Sequence, residues 1–333
     1  MQQRLIEAAQ NAGITVQDLS VAWGQEAVKF THAGQTEIVF QGSILGSNSH
    51  LGTTICSDLP ITRFYLAELA IPTPASKVFK LDSEQTSTAQ LERLIGEFWI
   101  EGKIYRCLPA FSVDGHGVAS NLKHLQDLEL HLDTFADDYA TWLLEEQAEG
   151  EDLELLIIGG ELVSGITRTA LRLTGDGVQT LEELIDRHNI TASESDKVQI
   201  DAETRQLLRD QAAYLSEVVL QGVAIQVKNP GGGGGGATDV TDKLHRTYLE
   251  WAKKISDATG LKAFSVKLKC ESVSSDASTS AKVLSLNAKP DWMAFQNALE
   301  TIRTLPKSCS RRCLRWLAAA NASNQGRLSE TVI

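Results

Sequence analysis

Apolar and polar residues alternate in two parts of the chain, as they do in half-buried β-strands. Residues 28–30 and 38–40 alternate on either side of a polar turn, and residues 153–157 and 162–166 alternate on either side of Gly159-Gly160. Glycine pairs favour the tight turn that joins two antiparallel strands. The pattern therefore predicts one β-hairpin near the beginning of the chain and another near its middle.

Other segments repeat their apolar residues at helical spacing. Thr180 and Glu183 form a capping box ahead of Leu181 and Leu184, so we predict that a helix begins there. Further helices are predicted over residues 4–9, 62–69, 91–98, 201–215 and 244–258. Helices and short strands follow one another without strict alternation, which favours an α+β fold of lobes built around antiparallel sheets.

Composition excludes several classes of protein. The 333 residues are 42% apolar and 22% charged, which is typical of a globular chain. The formal net charge of −12 argues against nucleic acid as a partner, because phosphate contacts need a basic surface. It also disfavours an anionic membrane surface, and no apolar stretch approaches the ~18 residues that cross a bilayer. We expect no nucleic-acid or membrane partner.

Cysteine usage and the N-terminal segment favour a cytoplasmic protein. The five cysteines are odd in number and mostly scattered, so a disulfide framework is not expected. Cys309 and Cys313 lie four residues apart, but no histidine or second cysteine pair completes a zinc site. The chain begins with an amphipathic segment that lacks the apolar core of a signal peptide.

A run of six glycines, Gly231–Gly236, precedes the polar segment 237–242. Taken alone, such a run is typical of a flexible linker. It is not a Walker-type phosphate loop, because no Gly-Lys-Ser/Thr follows it. The sequence segments before and after the glycine run support an interpretation other than a linker.

Six phrases, in chain order, resemble ATP-grasp ligases of the cyanophycin synthetase and bifunctional glutathione synthetase type. They are CSDLPITRFYLAELAIPTP (56–74), LPAFSVDGHGVASNL (108–122), LEEQAEGEDLELLIIGGELV (144–163), ITRTALRLTGDGVQTLEELIDRHN (166–189), GGGATDVTDKLH (234–245) and VLSLNAKPDW (283–292). The resemblance implies an ATP-grasp fold, in which two lobes with antiparallel sheets clamp a nucleotide cleft. It implies an N-terminal lobe (1–80), a small lid subdomain (81–150), a C-terminal ATP-grasp lobe (151–300) and a basic C-terminal tail (301–333).

The resemblance also implies a reaction. A carboxylate is phosphorylated by ATP to an acyl phosphate, which an amine then attacks to give an amide. In this family two lysines hold the nucleotide phosphates, but Leu59 and Leu108 stand at their positions. An expected arginine is replaced by Glu154, and another by Gln226, where Lys228 is the nearest substitute.

The residues at the positions that bind magnesium in this family also differ from the family pattern. An expected aspartate is replaced by Lys267 and an expected glutamate by Ser285, which leaves Asn287 as the single metal candidate. The lost residues are the charged ones, while the apolar and glycine residues beside them are retained. This indicates a retained scaffold with a degenerate site.

The family's remaining functional positions give the candidate site residues of this chain. They are Arg168 and Lys228 as catalytic residues, Glu145, Glu146, Gly115 and Gly117 at the nucleotide, Gly234, Gly235, Gly236 and Asp239 in a substrate loop, and Asn287 at a metal. Each position also has an ordinary structural interpretation. Arg168 suits a surface salt bridge, Asp239 a helix cap, and the two glutamates a solvated strand end.

Two functions remain open from the sequence. The first is a pseudoenzyme that binds a small amino acid or peptide, or a catalytic paralogue, within a homo- or hetero-oligomer, and needs no cofactor. The second is an active ATP-dependent carboxylate–amine ligase that uses ATP and Mg²⁺, with Lys103, Lys123 or Lys228 replacing the missing cations. The basic tail, with Arg311, Arg312 and Arg315, suits docking on a partner or on the chain itself.

Overall fold

The computed structural model describes residues 2–11, 13–41, 44–81, 87–111, 116–135, 137–192, 197–229, 236–291 and 295. Its α-helices are α1 (Gln2–Asn11), α2 (Ser20–Trp23), α3 (His50–Ser57), α4 (Leu59–Glu68), α5 (Thr88–Ile95), α6 (Leu125–Thr134), α7 (Leu181–Thr191), α8 (Ala202–Asp210), α9 (Arg246–Thr259) and α10 (Ala277–Ser280). Its strands are β1 (Thr15–Asp18), β2 (Ala27–His32), β3 (Gln35–Phe40), β4 (Ile44–Leu45), β5 (Ser76–Lys80), β6 (Tyr105–Pro109), β7 (Ala119–Leu122), β8 (Thr141–Glu146), β9 (Glu151–Ile158), β10 (Glu161–Arg168), β11 (Leu171–Thr174), β12 (Ala224–Lys228), β13 (Ala237–Asp239), β14 (Ala263–Cys270) and β15 (Ala281–Asn287).

Four antiparallel sheets organise the described chain. An N-terminal sheet has the order β1-β2-β3-β4, and a middle sheet has the order β5-β8-β6-β7. The main sheet has five strands in the order β13-β10-β9-β14-β15, and β11 and β12 form a separate ribbon. This mixture of helices with antiparallel sheets confirms the α+β class.

The main sheet carries the largest apolar core. One of its faces packs against α9, α3 and α4, and the buried side chains there include Trp251, Ile255 and Phe264. The middle sheet has its own core beneath α5 and α6, built around Trp142 and Tyr105. The division into four segments stays a prediction.

The local sequence signals account for several elements. Residues 27–32 pair with residues 35–40, and β9 pairs with β10 across Gly159-Gly160, so both hairpins are confirmed. Both of these glycines have positive φ, as the tight turn requires. The Thr180–Glu183 capping box is present at the start of α7.

One helix is shorter than the sequence predicts. We predicted a helix over 201–215, but α8 ends at Asp210 and the backbone turns at Ala212, which has φ of 49°. The apolar residues beyond that point join the core of the β11–β12 ribbon from an irregular segment. Within the described residues, no helix is both long enough and apolar enough to cross a bilayer.

Candidate functional site

Glu145 lies in a buried ion-pair cluster between the middle sheet and the main sheet. Its Oε2 is 2.7 Å from Nη2 of Arg63 on α4, and its Oε1 is 3.6 Å from Nη1 of Arg106 on β6. The side chains of Arg63 and Glu145 are only 8% and 1% exposed. Arg63 also donates from Nη1 to the carbonyl oxygen of Val283 on β15, at 3.2 Å. One guanidinium therefore joins α4, the middle sheet and an edge strand of the main sheet.

Glu146, the next residue, pairs at the surface instead. Its carboxylate accepts a hydrogen bond from Nζ of Lys103, and this bond raises the pKa of the lysine. Both glutamates that the sequence offers for nucleotide contact thus already pair with cations of the chain. Their contact with a nucleotide stays a prediction.

The described end of the predicted lid loop is fixed at Gly117. Its φ is 74°, and a Cβ there would lie 2.8 Å from side-chain atoms of Pro109 and of Tyr139, so only glycine fits. Nε2 of His131 donates to the Gly117 carbonyl oxygen at 2.9 Å. Burial lowers the pKa of His131, which favours a neutral imidazole in this hydrogen bond. Gly115 lies outside the described residues.

Leu59 and Leu108 come near each other at the junction of α4 and β6. The backbone N–H of Leu59 donates to the carbonyl oxygen of Ala110 at 3.1 Å, and Ala110 directly follows β6. Leu108 is buried opposite Leu143 of β8. Neither leucine side chain carries a charge or a hydrogen-bond donor. This junction therefore offers no side-chain cation at the two positions where the resemblance predicts lysines.

The main sheet also has a charged face, opposite the face that packs on α9. Residues paired directly across neighbouring strands point to the same side of a sheet. Asp152 lies between Arg168 and Lys269, and Glu154 lies opposite Lys267. The strand pairing thus brings these five side chains to one face.

Arg168 is held by Glu154 on this face. Nε and Nη2 of Arg168 lie 2.9 Å and 2.8 Å from Oε2 of Glu154. The Glu154 side chain is 3% exposed and that of Arg168 is 14% exposed. Arg168 therefore forms a salt bridge, as the structural interpretation of the sequence predicted, but the pair is buried rather than at the surface. Glu154 stands where the resemblance predicts an arginine, and it neutralises the cation beside it.

Lys267 occupies the middle of the charged face. Its register partners are Glu154 on β9 and Ser285 on β15. Glu154 accepts a hydrogen bond from Arg168. Asp152 pairs with Lys269, and the distance from Lys269 Nζ to Asp152 Oδ2 is 2.7 Å. Across the described parts of the chain, the exposed ammonium of Lys267 forms no ion pair.

Asn287 ends β15 and is bonded to the following turn. Its Oδ1 accepts from the Lys289 backbone N–H, and its Nδ2 donates to the Lys289 carbonyl oxygen, each at 2.9 Å. Magnesium prefers several carboxylate or other oxygen ligands in octahedral geometry. On the charged face Glu154 pairs with Arg168 and Asp152 pairs with Lys269, and Lys267 lies opposite Glu154. In the parts of the chain that the structure describes, no group of three or more His, Cys, Asp or Glu residues could hold a metal. The described residues of this face do not fit a magnesium ion.

Lys228 and Arg168 belong to different sheets. Lys228 belongs to β12 and pairs with Leu171 of β11, in the two-stranded ribbon rather than in the main sheet. A joint catalytic role of Arg168 and Lys228 stays a prediction.

The part of the substrate loop that is described joins the main sheet. The Gly236 carbonyl oxygen accepts from both the backbone N–H and the hydroxyl of Thr169, at 2.9 Å and 3.1 Å. Asp239 accepts from the backbone N–H of Thr241 just ahead of the short helical turn 241–243. The residue that caps α9 is His245, so Asp239 does not cap that helix. Gly234, Gly235 and the tail 301–333 lie outside the described residues.

The described cysteines are unsuited to nucleophilic chemistry. Cys56, Cys107 and Cys270 are free thiols. Burial raises the pKa of Cys56 to about 12, and it raises the pKa of Cys107 and Cys270 as well. A thiol needs to ionise to react, so these three stay inert near neutral pH.

Sequence reasoning missed the partners of the charged residues. Arg63 and Glu145 are 82 residues apart in the sequence, so no local sequence pattern predicts their contact. The Arg168–Glu154 pair had a usable signal, because the β9–β10 hairpin brings opposite charges onto neighbouring positions of one face.

No family model matches the chain. Over 289 residues it is 22% identical to the cyanophycin synthetase of Synechocystis sp., covering 83% of this chain and 32% of that protein. Over 246 residues it is 24% identical to the glutathione biosynthesis bifunctional protein GshAB of Streptococcus agalactiae, covering 70% of this chain and 32% of that protein. The chain thus spans about a third of the length of these curated relatives.

A solved structure shares the fold. The bifunctional glutathione synthetase from Pasteurella multocida superposes with a TM-score of 0.57 at 18% identity, covering 90% of this chain and 43% of that chain. The chain therefore has an ATP-grasp fold and is related to the ATP-grasp carboxylate–amine ligases.

Proposed function

We propose that this chain binds a small molecule or a catalytic partner subunit and does not transfer phosphate from ATP. The observation that carries the proposal is the charged face of the main sheet. There Glu154 neutralises Arg168, Lys269 neutralises Asp152, and Lys267 lies between the paired acids and Ser285.

Acyl-phosphate formation makes demands that this arrangement does not meet. The nucleotide phosphates need cations, and magnesium needs oxygen ligands near them. A unit charge about 4 Å from a phosphate oxygen contributes roughly 4 kcal/mol at an effective dielectric of 20. If solvent halves that value, leucines at positions 59 and 108 weaken nucleotide binding by about a thousandfold, at ~1.4 kcal/mol per tenfold. Lys267 adds repulsion toward a dication.

A turnover assay tests the proposal. The chain is incubated with Mg²⁺ and ATP, together with single amino acids and then with pairs of amino acids or short peptides, and ADP release is followed. We expect release equal to that of a protein-free sample, while a bifunctional glutathione synthetase assayed in parallel releases ADP. The Arg168→Ala variant controls for a contaminating ATPase, because contamination would give the same rate in both preparations.

ADP release that depends on an amino acid and is lost in Arg168→Ala would contradict the proposal. It would support the active-ligase alternative, in which Lys103, Lys123 or Lys228 supplies the missing positive charge. Lys103 already pairs with Glu146, so it would have to leave that carboxylate first.

A further inference from the structure

A short apolar run beside the β11–β12 ribbon has apolar side chains on both of its sides. Val219 is buried in the core of the ribbon, whereas Val218 and Leu220 beside it are 47% and 71% exposed. Val178 is 78% exposed, and the residues on either side of it bond to the backbone of Val219. We call Val178, Val218 and Leu220 the apolar strip. A continuous apolar run is typical of a segment that is covered on both sides, but the described chain covers only the inner side.

The surroundings of the apolar strip are acidic. Segments 174–186 and 214–224, which contain the strip, carry five acidic residues and no basic residue. Glu217 directly precedes Val218, and the backbone N–H of Glu182 donates to the carbonyl oxygen two residues before Glu217. Both glutamates are exposed, and neither forms an ion pair within the described ranges. Two carboxylates thus lie near the Val218 end of the strip without a cation.

The cations of the same region are paired or lie on other elements. Arg187 pairs with Asp176 at 3.2 Å. The remaining basic residues among the described residues of 171–229 are Arg172 on β11, Lys228 on β12, Lys197 ahead of α8, and Arg205 and Arg209 on α8. The surface around the strip therefore suits a partner that is apolar on one side and basic on the other.

The chain's own basic tail (301–333) has this composition. It carries six basic residues and one acidic residue, a net charge of +5, so the preceding 300 residues have a net charge of −17. At helical spacing Arg311, Arg312 and Arg315 fall within an arc of about 100°, and Leu314 and Leu317 fall outside it. The sequence pattern thus predicts a segment with one basic side and one apolar side.

The tail leaves the described chain from a point close to the ribbon. Phe295 is buried in a cluster with Ile166 of β10, and Ile166 is five residues before Leu171, where the ribbon begins. The 16 residues from Phe295 to Arg311 extend over at most roughly 50 Å. A compact chain of 333 residues has a radius of gyration of about 20 Å. The tail is therefore long enough to reach the apolar strip.

We infer that residues 308–320 of the tail dock on the apolar strip of the same chain, with their apolar side on the strip and their arginines toward Glu182 and Glu217. An amphipathic helix that lays its apolar side on an apolar surface is a common mode of recognition. Attachment to the same chain also raises the effective concentration of the segment. A second copy of the chain fits less well, because a two-fold contact through the strip would bring Glu217 of the two chains toward each other.

Cysteine cross-linking tests this contact in the full chain. Leu220→Cys places a thiol on the strip, and the tail supplies Cys309 and Cys313. A short bismaleimide is added at low protein concentration, and linked peptides are identified by mass spectrometry. We expect position 220 to link to Cys309 or Cys313 within one chain. Leu130→Cys on α6 is the matched control, because Leu130 is 72% exposed, and we expect its link to the tail to form at least about tenfold more slowly.

Charge reversal in the tail tests the electrostatic part of the contact. Combining Arg311→Glu, Arg312→Glu and Arg315→Glu with Leu220→Cys is expected to slow the link at least about tenfold, because the tail would then meet acidic residues with acidic side chains. Circular dichroism checks that each variant folds. Val178→Cys, on the same strip, repeats the test if Leu220→Cys does not fold.

Three outcomes would overturn the inference. Equal rates at positions 220 and 130 would show that the tail contacts the surface without preference. A linked dimer, recognised by its doubled mass, would assign the strip to a second copy of the chain. Absence of a link from both Leu220→Cys and Val178→Cys would show that the tail does not dock there.

Discussion

Replacing Glu145 by alanine is expected to lower the free energy of unfolding by about 3–5 kcal/mol, the range for breaking a buried ion pair by removing one partner. The variant leaves the guanidinium of Arg63 buried and without its carboxylate, since the pair is almost fully shielded from water. Arg106 loses the same partner. Because Arg63 also bonds to Val283, the change weakens the contact between the middle sheet and the main sheet. Urea denaturation followed by tryptophan fluorescence measures the effect.

Glu146→Ala is the matched control, one residue further along the same strand. Its pair with Lys103 is partly exposed, with side chains 27% and 43% accessible, so its removal is expected to cost about 1 kcal/mol or less. Equal losses of stability in the two variants would contradict the role assigned to burial. A loss confined to Glu145→Ala would support it.

Replacing Arg168 by alanine is expected to lower the free energy of unfolding by about 3 kcal/mol, the lower end of the same range. The buried carboxylate of Glu154 would then lose the ion pair that the structure shows, and Lys267, directly opposite it, makes no ion pair with it. Lys269→Ala is the control on the same face. Its pair with Asp152 is partly exposed, so a loss of about 1 kcal/mol or less is expected.

A double substitution distinguishes the loss of the pair from the loss of side-chain packing. Replacing a buried ion pair by apolar residues of similar volume is often neutral or stabilising. The variant that combines Arg168→Met with Glu154→Leu should therefore recover most of the stability lost in Arg168→Ala. Failure to recover would show that Arg168 acts through contacts other than Glu154.

Much of the secondary structure follows from local physical chemistry. The β9–β10 hairpin is specified by the alternating residues on either side of Gly159-Gly160. The start of α7 is specified by the capping box of Thr180 and Glu183. The end of α8 was predicted wrongly, because Ala213 and Leu215 pack on the ribbon's core from an irregular segment, partly buried, and helical spacing does not record that.

The candidate site could be predicted only in part. The resemblance located the positions of Leu59, Leu108 and Lys267, and it marked them as departures from a working ligase. It treated Glu154 as a lost arginine, while the structure shows that this glutamate has a partner in Arg168. Such pairings depend on strand register and on contacts between sheets, which sequence patterns specify less tightly than turns and caps.

The proposed absence of phosphate transfer depends on the charged face being unable to hold magnesium beside a nucleotide. A crystal of the chain grown with ATP and Mn²⁺, with data collected at the manganese absorption edge, tests this directly. We predict no anomalous peak among Glu154, Lys267, Ser285 and Asn287. Two ordered manganese ions at these residues, with ATP phosphates between them, would contradict the account and restore the interpretation of the chain as a working ligase.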